Sequence, residues 1–197
     1  MSDEDVVARR KELVDELRRD NDRLRAHIGE LEEELADRDN LYVATYQMHS
    51  TFEPAHVLRT VMEILVNFVG AKTFAVYLVD DEPRLLRPVR AEGMELPAAV
   101  AIGDGLIGRV AATGEGHVGD VGPAGLDPRI CIPLRLGPRV VGAVAIWDFL
   151  LQKTRLVEVD LELFDLLAAH AATALEAACL AAAGGASRLA VLFEPAP

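Results

Sequence analysis

The chain has 197 residues, of which 51% are apolar, and its 20 basic and 32 acidic side chains give a net charge of −12. This composition fits a folded domain with an appendage, and the charge disfavours binding to nucleic acid or to an anionic membrane, because both surfaces are negative. The first residues, Met1-Ser2-Asp3-Glu4-Asp5, lack the basic and apolar parts of a secretory signal, so we expect a cytoplasmic protein.

Residues 1–40 predict a long helix that needs a partner, because they contain 14 acidic and 8 basic side chains and neither proline nor an aromatic residue. The heptad a positions are Val7, Val14, Asn21, Ile28 and Leu35, and the apolar d positions are Leu17, Leu24 and Leu31. β-Branched residues at a with leucine at d favour a parallel two-stranded coiled coil, and one asparagine at a favours a single register. The segment therefore predicts a homodimer, and the alternative is an amphipathic helix packed on its own domain.

Residues 41–183 predict an α+β domain around one sheet. A helix is expected from Pro54 to just before Gly70, followed by strands over 73–79 and 85–91. Residues 130–136 and 139–147 predict a hairpin with its turn at Gly137-Pro138. Residues 157–183 predict a long helix whose inward face is Leu161, Phe164, Ala168, Ala171, Leu175 and Cys179.

Three stretches of this domain resemble the GAF domain family. They are Gly103-Asp104-Gly105-Leu106-Ile107-Gly108-Arg109-Val110-Ala111 with Thr113-Gly114-Glu115, Cys131-Ile132-Pro133-Leu134 with Val141-Gly142-Ala143-Val144, and the helix from Leu166 to Ala177. The resemblance covers about residues 41–183 and implies a central antiparallel sheet flanked by helices. It also implies dimers through the terminal helices, and it makes the GxGxxG run a tight loop before a short helix, not a dinucleotide-binding turn.

The resemblance further implies a small-molecule pocket on the sheet face opposite the terminal helices. We expect Phe74, Tyr77, Met94, Cys131 and Trp147 to line it, although the same residues would serve equally well as core. The segment between Asp120 and Cys131 is shorter than the one that usually closes the family's pocket, so a shallow site is predicted. The sequence predicts no cofactor and no metal site, and any ligand is an unidentified small molecule.

Cys131 and Cys179 form no CxxC pair and have no histidine pair nearby, so neither a disulfide framework nor a zinc site is predicted. Cys131 lies in a strand between Ile130 and Ile132, a position typical of a small buried apolar side chain. A redox role is the alternative, because some GAF domains use cysteines in sulfoxide reduction. His170, in the alanine-rich closing helix, is interpreted as a packing or interface residue.

Residues 184–197 predict a flexible connector and an apolar tail. Leu189, Val191, Leu192 and Phe193 are candidates to bind a partner by adding a strand to a sheet edge, and an unstructured tail is the alternative.

The sequence as a whole favours a non-enzymatic, homodimeric signalling adaptor that binds another signalling protein. The first alternative is a small-molecule sensor that transmits ligand binding to the coiled coil, and the second is a redox sensor or reductase using Cys131.

Overall fold

The structure of the chain is a computed structural model that describes residues 3–80, 82, 84–119, 127–150 and 158–183. Within these ranges, only the helical backbone is described for 3–8, 33–41, 44, 158–162 and 183. The predicted tail residues Leu189, Val191, Leu192 and Phe193 and most of the segment between Asp120 and Cys131 lie outside the described residues, as do the side chains of Val7, Leu35 and Leu161.

The first helix, α1, spans Asp3–His49 and does not end at residue 40, where the predicted coiled coil stops. It ends where the Ser50 hydroxyl donates a hydrogen bond of 2.8 Å to the carbonyl oxygen of Gln47. The chain divides into two compact units, Met1–Tyr42 and Val43–Pro197. The helix predicted in the first unit is therefore present, while its pairing with a second chain stays a prediction.

The second unit contains a six-stranded antiparallel sheet, which confirms the predicted α+β class. The strands are β1 (Ala71–Asp80), β2 (Leu85–Glu92), β3 (Val100–Ala101), β4 (His117–Val118), β5 (Ile130–Leu136) and β6 (Arg139–Phe149), in the order β3-β2-β1-β6-β5-β4. The helices are α2 (Pro54–Asn67), α3 (Gly105–Thr113) and α4 (Glu158–Ala183). The hairpin turn at Gly137-Pro138 is confirmed, because Leu136 pairs with Arg139.

Side chains cover both faces of the central strands. On one side, called the terminal-helix face, Phe74, Val76 and Leu78 of β1 belong to a core that also contains buried residues of α2 and α4 and Met48 of α1. On the other side, called the α3 face, Ala75, Tyr77 and Val79 pack in a core with α3. The alternation follows from the strand period of two residues.

The closing helix α4 is a core element of the domain. Its predicted inward residues Phe164, Ala168, Ala171, Leu175 and Cys179 are buried. The Leu163–Ala182 stretch is long and apolar enough to cross a membrane by length and composition, and half of it is buried inside the domain. Because buried helices of folded domains share this composition, the finding is weak evidence for a membrane span.

Gly142 is a packing constraint at the centre of the sheet. A Cβ at this position would collide with the carbonyl oxygen of Tyr77 and lie 2.9 Å from Leu78 Cδ2. We expect Gly142→Ala to lower the free energy of unfolding by about 2 kcal/mol, because the β1–β6 pair must separate to admit the methyl group.

Urea denaturation checks this prediction, with Gly116→Ala as the matched control. A Cβ at Gly116 would make ordinary contacts of 3.6 Å with Cys131 O and Pro133 Cδ, so we expect an effect below about 0.5 kcal/mol. Equal urea midpoints for the two variants would contradict the packing argument.

Candidate functional site

The five residues predicted to line one pocket do not lie together. Tyr77, Cys131 and Trp147 pack on the α3 face, whereas Phe74 is buried in the core of the terminal-helix face. Phe74 and Tyr77 are three residues apart on one strand, and an odd separation puts side chains on opposite faces. Met94 follows β2, is 37% exposed and belongs to neither core. The structure thus places Phe74 on the face opposite Tyr77, Cys131 and Trp147, which corrects its assignment to their pocket. It places Met94 outside both cores.

The α3 face beside Tyr77 and Cys131 is filled by the protein's own side chains. Ile107, Val110 and Ala111 of α3 are buried in the same cluster as Tyr77 and Cys131. The strands beneath present small residues, including Ala143 and Ala145, which permit close approach of the helix. These residues therefore act as a packed core around Tyr77 and Cys131.

Burial controls the chemistry of the two titratable groups in this core. Cys131 has no exposed surface, and burial raises the pKa of its thiol to about 12. Burial, and to a smaller extent the neighbouring Cys131, raise the pKa of Tyr77 to about 12. Because the thiolate is the reactive form of cysteine, these values disfavour nucleophilic or redox chemistry at Cys131 in the folded protein.

A groove of about 690 Å³ lies along β5, beside the point where the short β4 begins. We call it the β5-edge groove. Phe164, Ala168 and Ala169 line it from α4, and Gly114 and Gly116 line it from the segment before β4. Small residues on both sides leave the space between these elements open.

The β5-edge groove combines apolar surface with two charges of opposite sign, Asp165 and Arg135, and Cys131 contributes to its lining. Strand β4 pairs with β5 only at Ile130 and Cys131. Pro133, which has no N–H to donate, lies further along the strand and lines the groove. Of the residues predicted for a pocket, only Cys131 contributes to this groove. The alanine pair on α4 and the glycines before β4 were the sequence signals for it.

The glycine run from Gly103 to Gly108 covers the end of the loop after β3 and the first turn of α3. A Cβ at Gly108 would collide with the carbonyl oxygen of Ala101, so glycine permits close packing of the helix on β3. The Asp104 carboxylate accepts a hydrogen bond of 3.0 Å from the N–H of Gly105 at the start of α3. Since β3 pairs antiparallel with β2, this geometry agrees with a tight loop and not with a parallel dinucleotide-binding unit.

The described residues contain no group of three or more His, Cys, Asp or Glu side chains that could hold a metal ion. This finding covers the described ranges alone, so the absence of a metal site stays a prediction for the whole chain.

Comparison with protein-family models decides the family. Residues 53–177, which include the sheet, α2, α3 and most of α4, match the GAF domain model. The chain belongs to the GAF domain family. No curated protein matches it.

Solved structures with the GAF fold resemble the chain at low sequence identity. The GAF domain of a phosphoenolpyruvate-protein phosphotransferase from Coxiella burnetii has a TM-score of 0.62 at 18% identity, covering 74% of this chain and 95% of that one. Free methionine-R-sulfoxide reductase from Neisseria meningitidis has a TM-score of 0.60 at 22% identity, covering 74% and 91%. The GAF domain of the potassium sensor histidine kinase from Escherichia coli has a TM-score of 0.54 at 20% identity, covering 73% and 95%. At these identities the likeness shows the GAF fold alone, a fold that occurs in signalling proteins.

The buried thiol of this GAF domain generates a testable prediction. At pH 8 a group with a pKa near 12 is ionised in about one molecule in ten thousand, so we expect iodoacetamide to leave Cys131 unmodified in the folded protein. Peptide mapping by mass spectrometry before and after urea denaturation measures this.

The matched control is Met94→Cys, which places a thiol at a partly exposed position and should be labelled without denaturant. Labelling of Cys131 in the native protein as fast as of the cysteine at position 94 would contradict the assignment of Cys131 to the core.

Proposed function

We propose that the protein is a non-enzymatic, homodimeric signalling adaptor. In this proposal, α1 pairs with α1 of a second chain in a parallel coiled coil, and the two GAF domains bind another signalling protein in the cytoplasm. Neither nucleic acid nor membrane is a partner, in keeping with the net charge of −12.

The observation that carries the proposal is an apolar stripe on α1. Val14, Leu17, Leu24, Ile28 and Leu31 occupy the predicted a and d positions and are each 44–59% exposed in the single chain. Asn21, in the same stripe, is also exposed. Full burial of one such leucine or isoleucine contributes roughly 1.5–3 kcal/mol, so a second copy of the stripe supplies a strong driving force for pairing.

Two properties of the domain support an adaptor over an enzyme. The core on the α3 face is filled by side chains of α3, and its thiol is held in the neutral form by burial. The structural relatives include the GAF domain of a potassium sensor histidine kinase, which is a signalling protein. A GAF domain that acts by binding other proteins requires no reactive side chain of its own.

Leu24→Glu is the direct test of the stripe. We expect native mass spectrometry to find the wild-type protein at twice 21.3 kDa. Leu24→Glu should raise the dimer dissociation constant at least about 100-fold, since two buried leucines are replaced by charges.

Ala26→Glu is the matched control, because it adds the same charge two residues away at the outward f position of the heptad. It should leave the dimer intact. A monomeric wild-type protein, or equal dissociation by the two variants, would remove the proposed coiled coil.

Asn21→Val tests the register. An asparagine at a buried a position weakens the coil but limits it to one pairing, so we expect the variant to melt at higher temperature and to populate more than one oligomer. Circular dichroism and native mass spectrometry measure the two effects. Unchanged melting and oligomer distribution would place Asn21 outside the seam.

The β5-edge groove favours a second candidate function, that of a small-molecule sensor. Its volume of about 690 Å³ falls within the range of roughly 300–1,000 Å³ typical of ligand sites. Because α4 contributes Phe164, Ala168 and Ala169 to the lining, a ligand there would contact a terminal helix directly. Ligand binding would then change the packing of that helix and, through it, the dimer.

Native mass spectrometry also tests the sensor. The sensor hypothesis predicts an additional mass retained on the folded dimer, and it also predicts a ligand-dependent rise in the melting temperature. Ala169→Trp, which fills the β5-edge groove, should abolish both, while Thr173→Trp on the exposed surface of α4 should preserve them. A dimer without added mass, unaffected by Ala169→Trp, favours the adaptor.

The third hypothesis, a redox sensor or reductase based on Cys131, is the least favoured, because burial keeps that thiol protonated.

A further inference from the structure

His49 and His170 form a hydrogen bond between two helices of the domain. His49 is the last residue of α1, and His170 lies in the middle of α4. The distance from His49 Nε2 to His170 Nδ1 is 3.1 Å. The ring centroids are 5.4 Å apart, with an interplanar angle of 73°.

These distances show that the two nitrogens meet head-on. Subtracting 3.1 Å from 5.4 Å leaves 2.3 Å, which is about the sum of the two centroid-to-nitrogen distances within the rings. The bonded nitrogens therefore lie close to the line that joins the centroids. This arrangement suits one N–H donating to one lone pair, whereas two ligands of a common metal ion converge on a point off that line.

The number of protons on the pair decides whether the bond exists. With both rings neutral, one imidazole donates and the other accepts. One additional proton on the donor ring leaves the bond in place and strengthens it by charge. When each ring carries its own extra proton, both nitrogens are donors, no acceptor remains, and two cations face each other at 3.1 Å.

We propose that the His49–His170 pair is a proton-sensitive tie, which fastens the last turn of α1 to α4 while the pair carries at most one extra proton and releases it when both rings are protonated.

The surroundings of the pair set the direction of its response. Burial, and then the charge of His49, lower the pKa of His170 below its ordinary value of 6.5. Folding therefore disfavours protonation of His170, so the stability of the tie is complete above about pH 6.5 and is lost as the pH falls through the lowered pKa.

Charged groups on the elements packed around α4 do not reverse this direction. On α4 itself, Asp165 is exposed, and Glu176 accepts a bond of 2.8 Å from Arg139 of β6. On α2, which packs against α4, the charged and titratable side chains are His56, Arg59 and Glu63, and Arg59 lies 3.4 Å from His56. On β5 the charged side chain is Arg135. The net effect of all of them leaves the pKa of His170 lowered.

The residue beside the tie indicates what would move. Met48 is fully buried in the core of the terminal-helix face, whereas His49 is exposed. Loss of the tie therefore leaves Met48 in the core and loosens the exposed side of the final turn. The expected response is a local opening of residues 45–50, not unfolding of the domain.

Hydrogen exchange measured by mass spectrometry on the full chain tests the proposal. At pH 8, His49→Gln and His170→Gln should each speed exchange of residues 45–50 about five-fold relative to wild type, and the double variant should add nothing further. As the pH is lowered below 6.5, exchange of the wild type should rise until it equals that of the variants. Each comparison is made at one pH, so the intrinsic pH dependence of exchange cancels.

His56→Gln is the matched control, because it removes a histidine of α2 without touching the pair, and it should behave as wild type. Effects of the tie variants that do not diminish as the pH falls below 6.5, additive effects of the two substitutions, or no effect at pH 8 would each overturn the proposal.

A second measurement needs no substitution. Imidazole ¹⁵N chemical shifts of the wild-type protein at pH 8 should assign a protonated nitrogen to one member of the bonded pair and an unprotonated nitrogen to the other. Shifts equal to those of free histidine for both residues would also overturn the tie.

Discussion

The fold depends on burial of the β1–β6 pair on both of its faces. Every residue of β1 from Phe74 to Val79 is buried. Because successive side chains point to opposite faces of the sheet, both faces must be covered by other elements. The terminal helices cover one face and α3 covers the other. Gly142 sits on β6 directly against the backbone of Tyr77, and this close approach lets the two strands pack without a side chain between them. The constraint explains why residues that resemble pocket residues in sequence act as core residues here. The α3 face is filled, and the β5-edge groove lies instead along β5, between α4 and the segment before β4.

Most of the sheet was predictable from local pattern, because strands β1, β2, β5 and β6 are long enough to show alternation or continuous apolar runs. Strands β3 and β4 have two residues each, which is too short to show an alternation of apolar and polar residues, so their pairing depends on tertiary contacts that no local pattern reports.

The assignment of Phe74 to the pocket failed for a different reason. Its odd separation from Tyr77 already assigned the two residues to opposite faces, but the pocket was predicted from residue type and not from strand parity. The small residues of the β5-edge groove are visible in the sequence, but their meeting is not, since the groove arises where α4, β5 and the segment before β4 come together in the fold.

Histidine and cysteine at the candidate sites differ in their relation to solvent, and that difference decides which of them can respond to the environment. Cys131 is fully buried, and burial holds it in one protonation state across the physiological range. His170 is only partly covered and faces a second imidazole, and burial together with the charge of His49 lowers its pKa below 6.5, so the pair gains its second proton only as the pH falls below that value. A buried group stabilises the core by remaining neutral, whereas in the proposed tie a partly exposed pair between two helices couples their contact to proton concentration. The domain's capacity for regulation is therefore expected at its helices and not in the sheet.

The same reasoning separates the forces that act along α1. Three arginine–carboxylate ion pairs on this helix, Arg9–Glu12, Arg18–Asp15 and Arg23–Asp20, have separations of 3.5–3.9 Å and exposed side chains. Pairs of this kind contribute at most about 0.2–0.5 kcal/mol each, and less in salt. These ion pairs are too weak to stabilise a helix of 47 residues, because most of the stability of a helix in a folded protein comes from packing of its apolar face.

Met48 provides such packing near one end of α1, within the domain. For the segment from Val14 to Leu31 the apolar stripe is the remaining source, and it becomes effective only when another apolar surface covers it. The proposed dimer therefore depends on the leucines of the stripe, and the charges around them select the partner's orientation without providing the affinity.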